Sequence, residues 1–394
     1  MTDRGPTTPR AGRVPGSEEL RAHEFPRLSE GIYLDAAAFG VLPVRALDVL
    51  ERWNRDRSSG RGVDPESFTA GLARARTAVS RLIGAPVEAI ALSTNTSYGV
   101  NLAVEVVGAG VPGRILVSDG EFPANVLPWR RLEARGFDVD LVPTDSMGRP
   151  RFDEMAGRLR DDPSIRAVAL SMVQFGTGVL ADLAEWGARC REREVFLAVD
   201  AIQGMGVVPM DGPGAMGVDL LTTGAQKWLL SPWGTGFVYL HPRHLDRIPP
   251  PFTSWFGFES ALDFDRLLEY DTALLPDARR FEAATLPVQD LEAMGAAIEL
   301  LLEVGVDRIR SHVHGLHDRI LAWADERPGV RVVTPRQADE RAAILSLEVP
   351  GLGERAERLA GAGVRISIRG GRLRVAPHLY NTPHEIERLL ALLQ

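Results

Sequence analysis

The chain has 394 residues, 45% of them apolar and 25% charged, with a formal net charge of −8. That length allows two or three domains, or one large domain with a smaller companion, and the composition is ordinary for a globular chain with a sizeable core. The acidic balance excludes a basic nucleic-acid-binding face. No apolar run approaches the ~20 residues that span a bilayer, and the single cysteine, Cys190, excludes an internal disulfide and fits a reducing cytoplasm.

In chain order, residues 1–18 hold arginines and prolines without the apolar run of a secretory signal, and are expected to form a flexible leader. Residues 19–50 read as an N-terminal segment lying partly with a small domain, 51–265 as a large domain, and 266–394 as a linker and the small domain itself. Short apolar runs at 89–93, 114–119, 139–143, 167–173, 195–200, 219–224 and 236–240 read as strands, with helix-length stretches such as 71–85 and 180–194 between them. Strands this continuously apolar need cover on both faces, which predicts a mainly parallel, doubly wound α/β sheet. Further on, a helical stretch over 289–326 leads to a strand at 342–349 and a hairpin over 364–377 turned at Gly370-Gly371. The closing helix, 382–393, takes Thr382 as N-cap and Pro383 at its first position.

Three features of the large domain bear on function. In LSTNTSYGVNLAV (92–104) a strand runs into a helix through small polar residues, and Thr96 and Ser97 sit where the first helical N–H groups are unpaired. The pattern serves either an ordinary N-cap or an anion site. In FLAVDAIQG (196–204) Asp200 ends an apolar strand, where open α/β sheets place ligand contacts, although a helix cap would look the same. In TTGAQKWLLSPWGTGF (222–237) Lys227 stands one strand further on; a loop-tip lysine is usually just solvated. An amine beside a desolvated site loses its proton more easily and can attack a carbonyl. Taken together, anion site, strand-end carboxylate and amine match pyridoxal phosphate, whose phosphate, ring nitrogen and aldehyde need those three groups. The Gly-rich fingerprint of a nicotinamide site is absent.

The order of these motifs resembles the aminotransferase class V family of fold-type I pyridoxal-phosphate enzymes along nearly the whole chain after residue 30. IYLDAAAFGVLP (32–43) is similar to that family's N-terminal segment, with Ala36 where asparagine is common. The resemblance implies Thr96 and Ser97 for the phosphate, Phe122 in EFPANVLPW (121–129) for the ring face, Asp200 for the ring nitrogen and Gln203 for the phenolic oxygen. It further implies Lys227 for the Schiff base, Gln226 for the phosphate, and Thr285 in RRFEAATLPV (279–288) for the phosphate of a partner subunit, hence a homodimer. Arg374 in RLRVAPHLYNTPHEI (372–386) aligns with the arginine that holds the substrate carboxylate. The implied activity is chemistry on an α-amino acid through a Schiff base and α-carbanion, with epimerisation, transamination and elimination all open. The motifs look closest to the isopenicillin N epimerase-like branch.

Departures narrow the alternatives. Phe122 replaces the histidine of cysteine desulfurases, Gly224 and Gln226 replace the Ser and His of their SGHK form, and no cysteine lies in the C-terminal region that would carry a persulfide. Cys190 is expected to be structural. A β-eliminating C–S lyase without a catalytic cysteine is the alternative activity, and a non-catalytic scaffold has no need for Lys227, Asp200 and Arg374 together. Arg372, on the same strand face as Arg374, is a possible second substrate contact. His378 could face the pocket, and Gln174 and Phe175 are expected to line it. His312, His314 and His317 lack carboxylates at ligand spacing, so no metal is expected.

Overall fold

The computed structural model describes residues 17–62, 64–245, 250, 254–263, 265–270 and 272–394. Of the leader expected over 1–18, only the last two residues fall among them, and these open the helix Ser17–Glu24. Seven strands form the large sheet in the spatial order Ile90–Ser93, Gly236–Leu240, Leu220–Gly224, Phe196–Asp200, Ile165–Ser171, Arg114–Ser118, Asp138–Val142. The last five pair in parallel, while Gly236–Leu240 runs against both its neighbours. Leu220–Gly224 and Gly236–Leu240 are buried at every residue, the reason their sequences read as unbroken apolar runs. The fold is the expected α/β one, and among the described residues no helix is long and apolar enough to cross a membrane.

The small sheet is antiparallel, in the order Ser367–Arg369, Arg372–Val375, Leu345–Glu348, Arg331–Val332. Its hairpin turns at Gly370-Gly371, and its register sets Ser367 opposite Arg374 and Arg369 opposite Arg372. The closing helix Pro383–Leu392 has a full capping box between Thr382 and Glu385. The stretch 289–326 is not one helix: it divides at Gly305 into Val288–Val304 and Val306–Asp325. Two cores claim its two ends, since Leu291, Met294 and Ile298 pack with Leu72 and Val79 of the large lobe, while Leu316, Ile320 and Trp323 pack with Leu345 and Leu373.

The N-terminal segment joins the two lobes. Ile32–Tyr33 pairs in parallel with Val364–Arg365, and Ala376 N–H donates to the Leu34 carbonyl at 2.8 Å. On the large sheet, the helix Thr96–Gly108 is drawn against Leu220–Gly224 so closely that a Cβ at Gly99 would meet Thr222 Oγ1 at 2.1 Å. Gly99→Ala should therefore lower the unfolding free energy by roughly 1–3 kcal/mol, the usual penalty of overpacking. Urea denaturation of variant and wild type measures it; equal midpoints would mean that Thr222 moves aside freely.

Candidate active site

A cavity of about 340 Å³ lies where the carboxyl ends of the parallel strands meet the small sheet. Its lining includes Thr96 and Ser97, Phe122, Asp200 and Gln203, Gln226 and Lys227, and Arg374, drawn from both lobes. The Lys227 ammonium stands 5.8 Å from the centroid of the Phe122 ring. Burial disfavours the charged amine and lowers it to about 8; the Asp200 carboxylate opposes this, and Arg374 and Arg369 add to it. The turn that carries the lysine is held from outside, as Gly40 N–H donates to the Gln226 carbonyl at 2.8 Å. A Cβ at Gly40 would lie 2.0 Å from the Lys227 carbonyl oxygen, so only glycine fits.

Asp200 is 3% exposed and accepts the Ile202 N–H at 3.0 Å. Burial raises its carboxyl to about 6, with the Ile202 N–H and Lys227 limiting the rise, so it remains an anion at neutral pH. The helix Thr96–Gly108 is capped by Asn95, whose Oδ1 accepts the Tyr98 N–H at 2.9 Å. The N–H groups of Thr96 and Ser97 thus have no partner inside the helix. Thr96 is buried and its Oγ1 accepts the Gly224 N–H at 2.8 Å, tying this helix to the strand that leads to Lys227, whereas Ser97 is exposed. Gln203 is more committed than its motif implies: Nε2 donates to the Ala37 carbonyl at 3.1 Å and Oε1 accepts the Trp228 indole N–H at 2.8 Å. One amide hydrogen is left for a ligand.

Arg374 is 2% exposed. Its Nη1 donates to the Phe175 carbonyl at 3.2 Å, and Nη2 donates to Asp35 Oδ1 at 3.3 Å and Ser367 Oγ at 3.4 Å. The Ser367 hydroxyl donates to Asp35 at 2.7 Å, which fixes the carboxylate in turn. Arg374 Nε is buried and has no partner among the described residues. A buried charged donor without a partner is costly.

Thr285 is not brought to this cavity within the chain; it lines a separate one of about 360 Å³ with Trp53, Arg57 and Phe68. Phe175 lines the main cavity and meets Phe122 edge-on at 5.3 Å, whereas Gln174 does not: its Oε1 accepts the Thr177 N–H at 2.6 Å and shapes the loop. Arg372 is also withdrawn, donating to Glu348 at 3.1 Å and to the Met147 carbonyl at 2.7 Å. His378 packs in the interior, with Nε2 3.0 Å from the Trp228 carbonyl oxygen and its ring stacked on Tyr380; burial lowers it to about 4. His314 and His317 stack on each other, His312 Nε2 lies 2.9 Å from the Asn381 carbonyl oxygen, and Cys190 is buried with its thiol pushed up to about 12.

Sequence pattern does not single out Asp35, Asn95, Glu121 or Arg369. Glu121 accepts the Ser171 N–H at 2.9 Å, and burial raises its carboxyl to about 7. It stands beside Phe122 in a motif already of interest, as Asp35 does in IYLDAAAFG. A plainer signal is that Lys227 is the only lysine in the chain.

The unpaired helical N–H groups, buried carboxylate, guanidinium and readily deprotonated amine fit pyridoxal phosphate and an anionic substrate. A doubly wound sheet bearing these groups defines a fold-type I pyridoxal-phosphate enzyme. The chain matches the aminotransferase class-V family over residues 32–389 and belongs to that family, and its cofactor is pyridoxal 5′-phosphate. It is 26% identical over 399 residues to a probable cysteine desulfurase of Methanothermobacter thermautotrophicus, covering 95% of this chain and 96% of that one. It is 28% identical over 336 residues to the isopenicillin N epimerase of Streptomyces clavuligerus, covering 80% and 82%. The apo structure of the cysteine desulfurase from Thermococcus onnurineus NA1 has a TM-score of 0.83 and 24% identity, covering 95% of this chain and 96% of that one, a likeness of fold.

With one lysine, amine chemistry reads the site directly. Reductive labelling of Lys227 in the apoprotein should rise with pH through a midpoint near 8, rather than near the ordinary ~10.4. Asp200→Asn should move the midpoint lower, because the charge that favours the ammonium is gone. Mass spectrometry of labelled peptides across pH measures both, and a wild-type midpoint near the ordinary value would contradict the burial of this amine.

Proposed function

We propose that the enzyme acts at the α-carbon of an α-amino acid, in the manner of an epimerase or transaminase. The observation that carries this reading is the meeting of Lys227 with Arg374 on one cavity. Thr96, Ser97 and Gln226 would hold the cofactor phosphate, Phe122 the ring face, Asp200 the ring nitrogen and Gln203 the phenolic oxygen. When bound, pyridoxal phosphate supplies an electron sink for the pair left at the α-carbon. Arg374, aimed by Asp35 and Ser367, fixes the substrate by its α-carboxylate. Lys227 takes the α-proton at Nζ; an amine lowered to about 8 is partly neutral at physiological pH and can act as that base. The burial of Asp200 keeps its own charge strong. Cys190 is buried and protonated, which supports a route without a persulfide.

Lys227→Ala should remove both the visible absorption that pyridoxal phosphate gains on the protein and any borohydride-fixed label. A label that persisted elsewhere would reassign the amine. Wild type should exchange the α-hydrogen of its substrate with deuterated water, seen by NMR. Arg374→Ala should lower kcat/KM by roughly 30- to 5,000-fold, about 2–5 kcal/mol, because it also leaves Asp35 buried and unpaired. Arg374→Lys should recover part of that loss, and equal losses on an amine lacking the carboxylate would make Arg374 structural.

We further propose a homodimer in which Thr285 serves the partner's phosphate. Its place in a cavity away from Lys227 supports this. Lys227→Ala and Thr285→Glu homodimers should each be inactive, and activity should reappear on mixing, since one site of the hybrid has both native residues. Mixtures that stay inactive while light scattering shows hybrid dimers would rule out the shared site.

A further inference from the structure

Arg369 is the cavity's unexplained cation. It lines the same cavity as Lys227 and Arg374, yet it belongs to no ion pair with a described residue; the hydrogen bond recorded for its guanidinium is to the Ile368 carbonyl at 3.0 Å. Its position follows from the hairpin. Ser367 and Arg369, two residues apart, share a face of their strand. Register puts them opposite Arg374 and Arg372, so Arg369 is a diagonal neighbour of Arg374. Such neighbours lie roughly 7–8 Å apart, within reach of each other's long side chains. Three of these four side chains are tied to a carboxylate: Ser367 and Arg374 share Asp35, and Arg372 takes Glu348.

Charge accounting gives the same result. Arg374 is balanced by Asp35, and Asp200 acts on Lys227. Asp200 would also hold the cofactor's ring nitrogen, and the helix N-terminus and Gln226 would hold its phosphate from the large lobe. Arg369, on the small lobe at the exposed side of the cavity, is left without an anion. Its field is felt inside, since it disfavours the charged forms of both Lys227 and Arg374.

We propose that Arg369 is a second carboxylate subsite, and that the enzyme's substrates are amino acids with an acidic side chain, the α-carboxylate at Arg374 and the side-chain carboxylate at Arg369. This rests on the amino-acid reading above. Arg369 is exposed, so the contact is a selective one rather than an anchor. A charge-assisted pair in that setting favours acid over amide by about tenfold.

The test is titration of the holoenzyme with L-glutamate against L-glutamine, and L-aspartate against L-asparagine, following the change in cofactor absorption. At least one acid should bind about tenfold more tightly than its amide, with a preference that shrinks as salt rises. In Arg369→Gln the ratio should fall to about one, and Arg369→Lys should keep part of it. No preference in wild type, or an Arg369→Gln variant that weakens acid and amide alike, overturns the subsite. So does a variant that loses cofactor affinity with the ratio intact, because Arg369 would then serve the phosphate. If no cofactor absorption develops at Lys227 in wild type, the amino-acid reading falls first, and the subsite with it; a normal band without selectivity removes the subsite alone.

Discussion

Lys227 is dry enough to give up its proton readily and still shares its cavity with charged side chains. Burial alone would neutralise any amine, and a direct carboxylate contact would lock it as an ammonium. Here Asp200, the carboxylate that most favours the charged amine, sits at the end of the adjacent parallel strand, fixed by the Ile202 N–H, and moderates the amine without capturing it. The rest of the architecture maintains that spacing. Gly99 lets a helix approach the lysine's strand, Thr96 ties that helix to Gly224, and Gly40 lets the N-terminal segment rest on the lysine's own carbonyl.

The second lobe contributes through a pairing that is remote in sequence. Asp35 and Arg374 are 339 residues apart, and together they set a guanidinium opposite the amine. A buried ion pair of this kind adds little net stability, because desolvation offsets most of the attraction. Its effect is orientation: Asp35, Ser367 and the Phe175 carbonyl hold the Arg374 guanidinium in one position beside the cavity. The geometry of this side of the cavity is therefore inseparable from the docking of the small sheet and the N-terminal segment.

What could be read in the sequence follows the range of the interactions involved. The strand ends of Asp200 and Lys227 and the cap of 382–393 are local features, and they stand where apolar runs and turn residues predict. The division at Gly305 was not legible, since two different cores decide it, nor was the strand Arg331–Val332, two residues long. Gln174 and Arg372 stand at apt positions, yet Thr177, Glu348 and Met147 withdraw them from the cavity. Arg369 and Asp35 escaped notice because their meaning depends on cross-strand register and on a contact between lobes.

That every basic side chain other than Lys227 and the histidines is an arginine has a chemical consequence for the whole molecule. Guanidinium groups keep their protons at any physiological pH and do not form imines with aldehydes as amines do. Sugars, keto acids and aldehydic metabolites that decorate ordinary proteins at scattered lysines would find a single side chain of that kind here, recessed in the cavity built for an aldehyde. The surface side chains thus form no such imines, and the cofactor meets no competing side-chain amine on the chain.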